Sequence, residues 1–201
     1  MALNFANNNS LSSITALPAS ISGGGLNLIS TQTASSSSTI DFTSGIDSTY
    51  KEYIFKFIDC HPSASSYFSF NMSADGGSNY NTTCTSTIFS AYHDEADSAT
   101  ALGYNASRDA SQSTSFVPLQ IDATHNDNDS SWSGTLHIFD PSNTTFVKHF
   151  IAQASGVITN PGNTNNFTAG YANTTSAINA VQFSFSSGNI DSGVIKLYGI
   201  S

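Results

Sequence analysis

The spacing of apolar residues most constrains this chain: it repeats at every second position in short runs broken by Gly, Asn, Asp and Ser, with almost no helical spacing. Between Glu52 and Asp59, Tyr53, Phe55 and Phe57 fall on one face of an extended strand, and Ile54, Lys56 and Ile58 on the other. Cleaner alternation follows from Tyr67 to Met72, where Phe68, Phe70 and Met72 point one way and Tyr67, Ser69 and Asn71 the other. Further strands are expected at Thr82–His93, Ser115–Ile121, Thr135–Phe139, Phe146–Gln153, Phe167–Tyr171, Ala180–Ser186 and Val194–Ile200. Asp75-Gly76-Gly77-Ser78-Asn79 supplies turn residues and reads as a hairpin connection. His93–Thr114 shows no alternation and reads as a long loop.

About ten antiparallel strands in one chain of 201 residues are best accommodated as two packed sheets, because one open sheet would leave a wide apolar face and exposed edges. The expected fold is therefore all-β, a two-sheet antiparallel jelly-roll-like sandwich over residues 26–201. Phe55, Phe57, Phe68, Phe70, Phe183 and Phe185 are the expected core. Residues 1–25 read as an irregular N-terminal arm, for docking or capping. They mix Asn7-Asn8-Asn9, Pro18 and Gly23-Gly24-Gly25 with Leu3, Phe5, Leu11, Ile14, Leu17 and Ile21, and those apolar residues require burial somewhere.

Charge narrows the function. Five Lys and Arg against 14 Asp and Glu give a net charge of −9, which leaves little with which to neutralise a phosphate backbone or an anionic bilayer. Neither nucleic acid nor membrane is an expected partner. No run of about 18 apolar residues suggests a spanning helix, and Met1–Ser10 does not read as a secretory leader. Ser, Thr and Asn number 36, 21 and 19, so the eight Asn-x-Ser/Thr sequons follow largely from composition.

The residues with chemical potential form two clusters, His93-Asp94-Glu95-Ala96-Asp97 and His125-Asn126-Asp127-Asn128-Asp129. Asp127, Asp129 and Ser131 alternate like the opening of a calcium loop, but Trp132 stands where such a loop needs Gly and no Glu closes it. The five histidines are all at least 12 residues apart, without the local pairing of a zinc motif, and His137 and His149 read as sheet residues. There is no Gly-x-Ser-x-Gly, no Cys-x-x-Cys, no phosphate-cradling Gly loop and no facing pair of glutamates. No catalytic residue, metal or cofactor is expected. Trp132, with Asp127 and Asp129 beside it, forms a possible ligand contact; the other reading is that Trp132 closes one end of the core. Cys60 and Cys84 permit one disulfide but read more readily as two buried thiols.

Two blocks, Ser38 to Phe57 (STIDFTSGIDSTYKEYIFKF) and Ser187 to Ile200 (SGNIDSGVIKLYGI), together with Tyr92 to Asp97 (YHDEAD) and Leu136 to Phe150 (LHIFDPSNTTFVKHF), resemble small structural proteins of the virions of tailed, especially aquatic, bacteriophages. The resemblance covers most of the chain from about residue 26. It implies a β-sandwich on the particle exterior, either a head decoration (cement) protein or a tail or fibre accessory with a carbohydrate- or receptor-binding role. It also implies the major capsid protein or other virion proteins as partners, a homo-oligomer, and synthesis in the host cytoplasm. That reducing compartment would leave Cys60 and Cys84 unbridged. No catalytic residues carry over. Within this reading Phe5, Leu11, Ile14 and Leu17 of the arm are the expected subunit or shell contact.

Overall fold

The computed structural model describes residues 25–201. Twelve strands follow one another along the chain: β1 (Leu26–Ser37), β2 (Ile40–Phe42), β3 (Glu52–Pro62), β4 (Phe68–Ser73), β5 (Cys84–Asp94), β6 (Thr100–Tyr104), β7 (Val117–Pro118), β8 (Trp132–Phe139), β9 (Lys148–Val157), β10 (Gly162–Ala172), β11 (Ala180–Phe185) and β12 (Ile190–Ile200). They form two antiparallel sheets, one in the order β1-β12-β3-β8-β9-β10-β5-β6 and one in the order β2-β11-β4-β7. The all-β, two-sheet architecture expected from the alternation is thus the one observed.

Eight of the strands pair as a nest. The outermost pair is β1 with β12, then β2 with β11, β3 with β8 and β4 with β7, and successive members of the nest alternate between the sheets. The other four enter as two consecutive insertions, β5 and β6 after β4, β9 and β10 after β8, and extend the larger sheet beyond β8.

Aromatic rings weld the two layers. Phe42 meets Phe55 at 5.1 Å, Phe57 meets Phe68 at 5.3 Å, and Phe70 meets Phe150 edge-on at 5.1 Å, each contact crossing between the sheets. Phe183 lies among Phe42, Phe55 and Phe68, with centroids 5.2 to 6.2 Å away. All six phenylalanines expected in the core are buried. Such contacts add about 0.5–1.5 kcal/mol per pair beyond area burial.

Where the small sheet ends, the inner face of the extension turns polar. Ser86 and Ser90 of β5 and Thr164, Asn166 and Thr168 of β10 are buried. Two of them bond to the chain that runs from β6 past β7: Ser86 Oγ accepts from Ala110 N (2.9 Å) and Asn166 Oδ1 from Ile121 N (2.8 Å). Gln120, fully buried, donates through Nε2 to Ser66 O, Asp122 O and Thr124 Oγ1. Backbone without a ladder partner is satisfied here by amides and hydroxyls. Lys148 is also buried, its Nζ donating to Thr174 O at 3.1 Å, and desolvation pulls its pKa below the usual lysine range.

Three readings change. The 93–114 region is not all loop: Thr100–Tyr104 pairs with His93–Phe89 as β6, a strand of wholly exposed residues that exists through its ladder and not through burial. The Asp75–Asn79 turn has its glycines at positive φ (+73° at Gly76, +87° at Gly77), but β4 and β5 lie in different sheets, so it is a crossover and not a hairpin. Ser115–Ile121 contributes only Val117–Pro118 to a sheet, because Leu119 and Gln120 leave it to fill the interior.

Candidate functional site

The first acidic cluster is largely turn chemistry. Asp94 ends β5, and its carboxylate accepts from Ser98 N (2.8 Å), Ala99 N (3.0 Å) and the Ser98 hydroxyl, which closes the turn into β6. The Ser98 hydroxyl, chiefly, holds that carboxyl below its usual range. In the second cluster His125 Nδ1 accepts from Asp127 N (3.1 Å), and Asp127 O accepts from Ser130 N (2.9 Å) and pairs with His61 Nε2 (3.0 Å). The fold brings the two clusters together: Glu95, His125, Asp127 and Asp129 line one small hollow of about 170 Å³ with Ser130 and Thr159. Among the described residues, no three His, Cys, Asp or Glu side chains converge as a metal ion requires.

Trp132 is not beside Asp127 and Asp129 at a loop tip. It opens β8, is fully buried and belongs to the core cluster, so no ligand reaches it without unfolding that end of the sandwich. The loop-tip contact therefore fails at its aromatic member, and the alternative, closure of the core, describes where it sits. Cys60 and Cys84 are free and buried, and burial pushes each thiol up to about 12. His137 and His149 lie in β8 and β9; His137 Nδ1 meets Glu52 Oε1 at 2.6 Å, and His149 tilts against Tyr171 at 6.1 Å. The arm residues Phe5, Leu11, Ile14 and Leu17 lie outside the described residues.

The surface that sequence reading missed is the outer face of β9, β10, β5 and β6. Register places Tyr104, Phe89 and Phe167 side by side across three strands, with Ala169 beside Ile151 in the next row and Tyr171 beside His149 in the one after. Phe89 and Phe167 stack at 5.0 Å and 11°. Leu102 is 76% exposed, Tyr104 58%, Ile151 52% and Phe89 44%. A groove of about 500 Å³ runs among Thr85, Thr87, His149, Ile151, Ala169 and Tyr171, and a hollow of about 540 Å³ beside Phe139 and Phe146 adjoins it at His149. The sequence pattern shows these strands, apart from β6, but not which of their faces stays uncovered among the described residues. Exposed apolar side chains gathered on one face, here interleaved with Thr87, Gln153 and Asn165, mark an interaction site more often than ones scattered singly.

No family model, curated protein or solved structure matches the chain.

Proposed function

We propose that this chain is a non-enzymatic structural protein of a virus particle, one that stands on the exterior of a tailed-bacteriophage head as a decoration protein. The observation that carries the reading is the apolar outer face of the β9-β10-β5-β6 extension. Its Phe89, Leu102, Tyr104 and Ile151 lie on a molecule otherwise rich in hydroxyls, amides and acids. A subunit of an assembly buries such a face, whereas a protein acting alone leaves it in water at a cost in solubility. The nested strand pairing supports the reading, since we take it as a jelly roll, an arrangement found in viral capsid and lectin domains. A fold by itself names no function, so the face carries the proposal.

The occupant assigned to the face is the segment before Gly25 of a neighbouring copy, with Phe5, Leu11, Ile14 and Leu17 as its anchors. That segment leads into β1, at the opposite edge of the large sheet from β6. Eight strands at ~4.8 Å put the two edges ~34 Å apart. Extended, the 24 residues reach ~80 Å. Within one molecule the segment would have to recross the sheet, while copies set edge to edge bring the β1 of one beside the β6 of the next. Repetition around a closed symmetric shell then multiplies a modest contact into lasting attachment.

A truncation starting at Leu26 is expected to stay folded and soluble but to lose self-association and attachment to particles, measured by light scattering and co-sedimentation. Unfolding would place the arm in the core, and normal attachment would place the contact elsewhere; either outcome overturns the assignment. Quantitative mass spectrometry of purified particles tests the wider reading. Copies on the order of hundreds support the head, a few tens or fewer favour a tail or fibre accessory, and absence from the particle refutes both.

A further inference from the structure

The outer side of the small sheet carries a second, chemically different hollow. It measures about 350 Å³ and lies among Tyr67, Arg108, Ser115, Phe116, Ser184 and Ser186. Arg108 is the only arginine of the chain. Its guanidinium lies 3.6 Å from the centroid of the Tyr67 ring, and its Nε donates to Ile121 O at 3.1 Å, so the group is held from its face and from one edge. Among the described residues no carboxylate lies within ion-pair distance of it. The adjacent acid, Asp109, instead accepts the Tyr104 hydroxyl. The two Nη nitrogens, the fork that matches a carboxylate in bidentate fashion, are therefore unclaimed by any described side chain.

The rest of the hollow offers hydroxyls and ring faces. Ser186 Oγ accepts from Tyr67 N at 3.1 Å, which leaves its own proton free to donate. The Ser115 and Ser184 hydroxyls also line the hollow, and Ser184 uses only its backbone carbonyl, which accepts from Ser69 Oγ at 3.1 Å. Tyr67 and Phe116 present half-buried rings, the kind of surface on which the C–H face of a sugar packs.

We propose that this hollow binds a carboxylate-bearing saccharide: Arg108 grips the carboxylate, Tyr67 and Phe116 flank the ring, and Ser115, Ser184 and Ser186 meet its hydroxyls. One guanidinium balances the single charge of a carboxylate but not the fuller charge of a phosphate, and the hollow contains no second cation. At ~300 to 1,000 Å³ for typical ligand pockets, this one has room for about one sugar unit. The net charge of −9 does not forbid an acidic ligand, because at physiological salt its field is screened beyond ~8 Å. The inference holds wherever on a particle the protein sits.

The test is a titration of the full chain, followed by ligand-observed NMR, with methyl glucuronide, methyl glucoside, acetate and inorganic phosphate as probes. Saturable glucuronide binding is expected, with the neutral glucoside at least about tenfold weaker and neither acetate nor phosphate displacing the glucuronide at equal concentration. Arg108→Lys keeps the charge without the fork and should weaken binding several-fold; Arg108→Gln should abolish it. Equal binding of glucoside and glucuronide, displacement by acetate or phosphate, or no glucuronide binding at millimolar concentration would each overturn the proposal. Should Arg108→Gln fail to fold, Ser184→Ala, which removes a hydroxyl without a partner among the described residues, decides: reduced binding at an unchanged melting temperature is expected, and unchanged binding refutes the site.

Discussion

Asp75 sits exposed in the crossover after β4, and its carboxylate accepts from Asn79 Nδ2 (2.7 Å), Ser73 Oγ (2.6 Å) and Asn79 N (2.9 Å). The Asn79 side chain first, then Ser73, lowers its pKa from 3.8 to about 2. Asp94 is lowered chiefly by Ser98, Asp140 by Asn143 and then Lys51, and Asp47 by Thr49. Each of these carboxyls binds a proton less readily folded than unfolded. Their stabilisation is thus complete above the unfolded pKa near 3.8 and is lost as pH falls through the folded values. The melting temperature should fall as pH drops from about 4 toward 2, and Asp75→Asn should fall less over that interval. Parallel declines in the two proteins, read by thermal denaturation, would show that Asp75 takes no part.

Among the elements, the extension is the one whose inner face is held by hydrogen bonds in place of apolar packing. Asn166 is 1% exposed and its Oδ1 is the acceptor for Ile121 N, whereas Thr168, on the same face two residues on, has a buried Oγ1 with no partner among the described residues. The two positions should respond oppositely. Asn166→Leu strands a buried N–H and should cost about 1–3 kcal/mol, while Thr168→Val removes an unpaired hydroxyl and should be neutral or stabilising. Chemical denaturation of both variants measures this, and equal destabilisation would refute it. The same contrast explains what the sequence made legible. β3 and β4 could be read because Tyr53, Phe55, Phe57, Phe68 and Phe70 alternate toward one apolar core. β6 could not, because Thr-Ala-Leu-Gly-Tyr has no buried face and is a strand only by pairing with β5. The meeting of Glu95 with Asp127 and Asp129, and that of Arg108 with Tyr67 and Ser184, depend on pairings across the sheets and on where a loop crosses them. No local pattern encodes either.

For the molecule as a whole, the nest sets the first described strand against the last: β12 lies between β1 and β3, and pairs with both. During synthesis, everything up to Asn189 can have left the ribosome while the larger sheet still has a gap at its second position. β1 then has no neighbour, and β3 exposes an unpaired edge. Ile190 follows the end of β3 by 128 residues, so at the usual pace of elongation, ~5 to 20 residues per second, the β3 edge waits ~6 to 26 seconds for β12 in each growing chain. Nascent chains stalled just before Ile190 is exposed should be cut readily by a mild protease, whereas chains stalled after Ile200 has emerged should resist; equal resistance would show that the sheet closes without its last strand. A chain with 9% charged residues, rich in hydroxyls and amides, spends that interval with bare strand edges that a neighbouring copy on a polysome can pair with. The order in which its strands pair therefore makes crowding during translation a hazard in its own right.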